Sequence, residues 1–271
     1  MKQRIITASI LAAVAIALLA LGGVVLAAAI VAIICFAVYE EYSALQKAGH
    51  HPLSWPIWAG LALSVPLLAI GGAKLLIPVA IGVALTTVAC IIFRREPVLE
   101  DILYSLIPFV SLVLPGMAML ALVNIEPKSV QLTYFLLMIA VPCVGDIFAL
   151  YVGSSLKGPK LCPAVSPNKT ISGSIGGLIG SLLTALLVGG IAYALAVQSR
   201  AVLPAWWHYV LLGLIGGAVG QLGDLFASLI KRRCGLKDFS NLFPGHGGML
   251  DRLDSVIFMA IIIFCYRMLV L

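Results

Sequence analysis

Charge is what this sequence has least of: Asp, Glu, Lys and Arg together make up 10% of its 271 residues. Soluble domains carry about 25%. The scarcity excludes an ordinary water-soluble fold, because 62% of the chain is hydrophobic and a domain of this size lacks the interior to hide it. Cysteine is sparse as well. The six residues Cys35, Cys90, Cys143, Cys162, Cys234 and Cys265 are scattered singly, with no CxxC and no Cys/His cluster. That excludes a zinc site or a disulfide framework and leaves small buried hydrophobes. Acid is the scarcer sign, with 11 Asp and Glu against 17 Lys and Arg, a net charge of +6. That balance suggests an anionic partner.

What fills the chain instead is long apolar runs. No charged residue lies between Arg4 and Glu40, which is too long for the apolar region of a signal peptide. Gly22-Gly23 divides that run into two stretches, each just long enough to cross a bilayer. Runs of about twenty apolar residues predict helices over 5–21, 24–39, 54–73, 75–93, 102–123, 131–152, 171–197, 206–230 and 252–270. The expectation is an all-α polytopic membrane protein of about nine transmembrane helices, forming a single transmembrane domain over 1–271. No repeat period and no soluble domain interrupts it.

Loop charges predict the orientation. With the N-terminus in the cytoplasm, thirteen of the 17 Lys and Arg residues fall inside and four, Lys74, Lys128, Arg200 and Arg267, fall outside. This is a strong positive-inside bias. Two of the inner loops, 153–170 and 231–250, are long and rich in Gly, Pro and Lys, the kind of segment where function tends to sit.

Four aspartates lie in or at the ends of apolar helices: Asp146, Asp224, Asp251 and Asp254. A carboxylate at membrane depth is costly and usually faces an interior cavity with a partner. The bland reading of each is a structural ion pair or a residue at the water boundary. Asp146 and Asp224 each precede one of the two long loops by about two turns. Asp251 and Asp254 follow the second loop at i, i+3 spacing, on one helix face. Carboxylates gathered without Cys or His ligands suit a hard cation such as Mg²⁺, one ion or two. Lys157, Lys160 and Lys169 follow Asp146; Lys231, Arg232, Arg233 and Lys237 follow Asp224. Such runs usually signal topology or touch anionic lipid, but beside a carboxylate site they also suit a nucleoside triphosphate. The segment Pro244-Gly-His-Gly-Gly248 can turn tightly and bring backbone N–H groups to an anion, with His246 placed to orient phosphate. It is neither a Walker loop nor a dinucleotide fingerprint.

Taken alone, these residues leave a cation or proton transporter open. That alternative predicts midplane acids in paired halves, whereas these acids cluster toward one side. The whole segment 228–254 resembles the signature of the phosphatidate cytidylyltransferases. Ser228, Lys231, Arg232, Lys237, Asp238, Ser240, Pro244, His246, Gly247, Gly248, Asp251, Arg252 and Asp254 stand at the fixed positions. Upstream, Ser166-Pro-Asn-Lys-Thr170 and Gly173 are similar to a second family segment, with Ile171 and Ser172 where Trp and Glu are usual. Asp146, Ala149 and Gly153 fit the family's Asp-containing helix, with Ser154 in place of an Arg.

The resemblance implies an enzyme, a nucleotidyltransferase that moves CMP from CTP to phosphatidic acid and releases pyrophosphate. The catalytic part falls at about 140–258. Asp146, Asp224, Asp251 and Asp254 are the expected metal ligands. Catalytic roles fall to Asp224, Asp251, Asp254, Lys231 and Lys237. Substrate contacts fall to Lys231, Arg232, Lys237 and His246, and to Ser166, Lys169 and Thr170 in the upstream segment. The implied partners are CTP, phosphatidic acid and membrane lipid, with no nucleic acid; a homodimer is left open. The expected location is a prokaryotic plasma membrane with the active site on the cytoplasmic face. A CTP-dependent polyprenol kinase would share the nucleotide logic but transfer the γ-phosphate.

Overall fold

The computed structural model describes residues 2–195, 203–243 and 247–270. Ten α-helices are present among them: α1 Lys2–Leu21, α2 Gly23–Lys47, α3 Trp55–Gly71, α4 Leu76–Ile92, α5 Leu99–Pro108, α6 Leu114–Ala121, α7 Lys128–Leu156, α8 Ile171–Leu195, α9 Trp206–Arg233 and α10 Leu250–Val270. A π-helical turn, Phe109–Val113, joins α5 to α6, so that Leu99–Ala121 runs as one crossing. The turn lies between Pro108 and Pro115, neither of which has an N–H for the regular ladder.

Among the described residues, seven helical stretches are long and apolar enough to cross a membrane, and Trp55–Gly71 is a shorter apolar helix. The protein is therefore an all-α integral membrane protein, with seven spans of membrane-crossing length among the described residues. Glycine marks two of the breaks between helices. Gly22 and Gly23 (φ 64° and 50°) end α1 and open α2, and Gly72 (φ 71°) stops α3. Glycine adopts this left-handed backbone without the steric cost other residues bear.

The chain forms two compact units, Met1–Val123 with Ile230–Leu253, and Asn124–Leu229 with Asp254–Leu271. In the first, Ile34, Ala37 and Val38 of α2, Ile57 of α3, and Leu112 and Val113 of the π-turn are fully buried core. The last turns of α2 are also tied by polar bonds. Ser111 Oγ donates to Glu41 Oε2 (2.8 Å), and Tyr42 Oη donates to the Ser105 carbonyl (3.1 Å).

In the second unit α7 and α8 form a tightly packed hairpin whose seam is glycine. A Cβ added at Gly173 would lie 2.7 Å from the Ala149 carbonyl, and one at Gly177 would lie 3.1 Å from Ala149 Cβ. Small residues at such seams let helix backbones approach closely in membranes. Much of the loop predicted over 153–170 is structured. Helix α7 runs on to Leu156, and strands β1 Lys160–Cys162 and β2 Ser166–Thr170 pair antiparallel. Thr170 then caps α8, its Oγ1 accepting the Gly173 N–H at 3.1 Å, the usual role of Thr at a helix start.

Candidate functional site

Helices α9 and α10 carry the two ends of the signature, and the apolar run of each ends in charge: Lys231-Arg232-Arg233 closes α9 and Asp251 opens α10. Lys231 and Asp251 form a buried ion pair in the first unit, Nζ to Oδ1 2.7 Å, with side-chain exposures of 10% and 3%. The other carboxylate oxygen of Asp251 accepts the backbone N–H groups of Phe239 and Gly248, both at 2.9 Å. Lys231 Nζ also stands 5.5 Å from the Phe239 ring centre, a cation–π contact. Asp251 thus fills both of the bland roles, ion pair and helix-terminal acceptor, at once.

The turn before α10 is shaped by that carboxylate. Gly247 has φ 81°, and a Cβ there would lie 2.8 Å from Asp251 Oδ2. Phe243 N–H donates to the Gly247 carbonyl (2.9 Å), closing the turn. Of the turn's N–H groups expected at an anion, those of Gly245 and His246 lie outside the described residues. Gly248 N–H donates to Asp251, and those of Met249 and Leu250 donate to Glu40 of α2 (3.0 and 2.9 Å). His246 lies outside the described residues. Arg232 and Lys237 are exposed, and Arg232 Nη1 donates to the Leu236 carbonyl (3.2 Å).

In the second unit Asp146, Asp224 and Asp254 are all half-buried. Lys169 of β2 and Asp224 of α9 form an ion pair, and Ser228 Oγ donates to Asp224 Oδ1 at 3.4 Å. Ser255 connects the other two acids. Its N–H donates to Asp254 Oδ1 (2.9 Å) and its Oγ donates to Asp146 Oδ2 (3.2 Å). Gln221, one turn before Asp224, bonds both the hydroxyl and the carbonyl of Ser174 on α8, which sets α8 against α9. Of the upstream substrate candidates, Lys169 reaches an acid and Thr170 is a buried helix cap. Ser166 is half-buried in the hairpin.

Carboxylate oxygens are the donors that Mg²⁺ prefers, and Asp146, Asp224 and Asp254 offer donors of that kind. Asp251 fits poorly, since one oxygen serves Lys231 and the other serves two amides. Among the described residues no group of three or more His, Cys, Asp or Glu side chains stands close enough to hold a metal ion. Each acid is engaged by a protein partner.

Four residues with these contacts were not anticipated from sequence: Glu40, Ser255, Ser174 and Gln221. Only Glu40 left a signal, as the first charge to interrupt the long apolar run.

Lys231 thus pairs with Asp251 in the first unit and Lys169 with Asp224 in the second, within a helical membrane protein. The chain belongs to the Cytidylyltransferase family, whose sequence model matches residues 2–270. It is similar to the phosphatidate cytidylyltransferase of Bacillus subtilis (strain 168), 41% identical over 145 residues, covering 52% of this chain and 48% of that protein. It is also similar to the phosphatidate cytidylyltransferase of Brucella abortus (strain 2308), 38% identical over 138 residues, covering 49% of this chain and 46% of the other. The one of Rickettsia bellii (strain RML369-C) is 34% identical over 177 residues, covering 61% and 69%. The chain spans about half the length of the first two.

Proposed function

We propose that this protein transfers CMP from CTP to phosphatidic acid, giving CDP-diacylglycerol and pyrophosphate, in a bacterial plasma membrane. The observation that carries the reading is the signature segment 228–254 itself. In a chain of this family, its fixed Lys231 and Asp251 form the buried pair around which the loop is folded.

Chemically, an oxygen of the lipid phosphomonoester attacks the α-phosphorus of CTP. The bond from that phosphorus to the bridging oxygen of the β-phosphate breaks, and pyrophosphate leaves. A phosphomonoester loses its second proton near pH ~6, so the nucleophile is already charged at neutral pH and needs no dedicated base. The difficulty is bringing one anion to another. Lys231, Arg232 and Lys237 are assigned to the triphosphate and the departing pyrophosphate. Lys169 is assigned to a phosphate as well, and Asp224 holds it extended until substrate arrives. Asp146, Asp224 and Asp254 would hold Mg²⁺, which supplies charge neutralisation and alignment. Asp251 acts by holding Lys231 and the turn before α10.

Purified protein in detergent, incubated with phosphatidic acid, labelled CTP and Mg²⁺, is expected to yield a CMP-bearing lipid. Transfer of label from the γ-phosphate to a polyprenol instead would select the kinase. No labelled lipid of either kind would reject both and return the transporter.

The positive-inside bias supports a cytoplasmic active site. Single cysteines at Ser155 and Asn241, both exposed, in a background lacking the six native cysteines should resist impermeant thiol reagents in intact cells. They should react in inverted vesicles. The reverse pattern would put the loops on the side without CTP and sink the orientation.

A further inference from the structure

Glu40 is buried at 5% exposure, yet lies near the end of a membrane-length helix. Its carboxylate collects three donors from a part of the chain about two hundred residues away. Ser240 Oγ donates to Oε1 at 2.6 Å, Met249 N–H to Oε1 at 3.0 Å, and Leu250 N–H to Oε2 at 2.9 Å. The 2.6 Å contact is in the range of a charge-assisted O–H···O⁻ bond. Gly248 is packed so closely that a Cβ there would collide with the same carboxylate.

The amides of Met249 and Leu250 belong to the start of α10, where N–H groups have no acceptor within the helix. Negative charge at that end is stabilising. Glu40 supplies it, so the helix end is closed by the protein's own carboxylate and not left for a substrate phosphate. The closure is also firmly mounted. The next two residues of α2 are fixed in other directions, Glu41 by Ser111 and Tyr42 to the Ser105 carbonyl.

We propose that Glu40 is a positioning residue for nucleotide handling: from α2 it pins Ser240 and the first turn of α10, and so fixes the loop bearing Lys237 and the Lys231–Asp251 pair. The proposal rests on reading the chain as a CTP-dependent cytidylyltransferase. It adds a residue well outside the signature segment, acting through the loop.

The test uses the full-length protein in detergent with Glu40→Gln, Glu40→Ala, Ser240→Ala and the double variant Glu40→Gln/Ser240→Ala. Glu40→Ala leaves buried donors unpaired, and a fall of roughly 30-fold or more in kcat/KM for CTP is expected. The KM for phosphatidic acid should stay within about twofold, because the disturbed loop handles the nucleotide. A residue serving stability alone would change melting without this split. Glu40→Gln keeps the shape and one acceptor oxygen, so it should fall between wild type and Ala. The double variant should lose less than the sum of its single changes, as for residues in direct contact. Hydrogen exchange of the peptide covering 247–253 should quicken in both Glu40 variants, whatever the reaction proves to be. Unchanged exchange overturns the clamp. Faster exchange with unchanged CTP kinetics overturns the positioning role. Should Glu40→Ala fail to fold, Glu40→Gln decides on the same readings. A wild-type protein that makes no CMP-lipid defeats the parent reading and with it the nucleotide role; exchange then reports on the clamp alone.

Discussion

Asp224→Asn is expected to abolish CMP transfer to within roughly 10⁻² to 10⁻³ of wild type, while the protein still folds and purifies. The side chain keeps its shape but loses the charge that holds Lys169 and that would hold Mg²⁺. Weakening charge stabilisation by a few kcal/mol costs about tenfold in rate for each 1.4 kcal/mol. The ion pair and the metal role separate in a second variant. Lys169→Met removes the pair but leaves the carboxylate, so its remaining activity should keep the Mg²⁺ dependence of wild type. The activity left in Asp224→Asn should require more Mg²⁺, or change in Mn²⁺. Near-normal turnover of Asp224→Asn at ordinary Mg²⁺ would remove this acid from the proposed site.

Asp251→Asn should behave differently, with a large loss of stability. Its carboxylate accepts Lys231 Nζ and two backbone amides while almost fully buried. An asparagine there must aim its NH₂ at one of those donors and leaves the ammonium uncompensated. Removing one partner of a buried pair typically costs about 3–5 kcal/mol. The melting temperature in detergent should therefore fall well below that of Asp224→Asn. Replacing both partners with apolar residues, as in Lys231→Met/Asp251→Leu, should recover part of the stability and none of the activity. If Asp251→Asn melts like wild type, the pair is not structural and Asp251 returns to the metal candidates.

These two acids mark where sequence reasoning stops. Asp251 and Asp254 sit three residues apart on the first turn of one helix, and nothing in that spacing distinguishes them. Only their partners do, Lys231 and two amides for one, the Ser255 N–H for the other. Apolar periods and glycine breaks placed the helices well, since run length and the left-handed turns at Gly22-Gly23 and Gly72 are local properties. The expected count of nine includes α3, whose 17 residues stand at the lower limit for a crossing. The hairpin 160–170 was hidden, its strands being short, polar and without alternation. Thr170 caps α8, a role hidden in sequence because it depends on where the helix begins. Glu40 was out of reach for a different reason: its donors lie some two hundred residues along the chain, and no local pattern encodes a contact of that range.

The glycine seam between α7 and α8 has a consequence for assembly. Side chains fixed at an interface lose rotamer freedom, and glycine has none to lose. Backbones that meet at Gly145, Gly173 and Gly177 can therefore associate at little entropic cost, through dispersion and weak Cα–H···O contacts that do not depend on water. Within its unit, α7 and α8 are thus held together with few side chains to order at their seam.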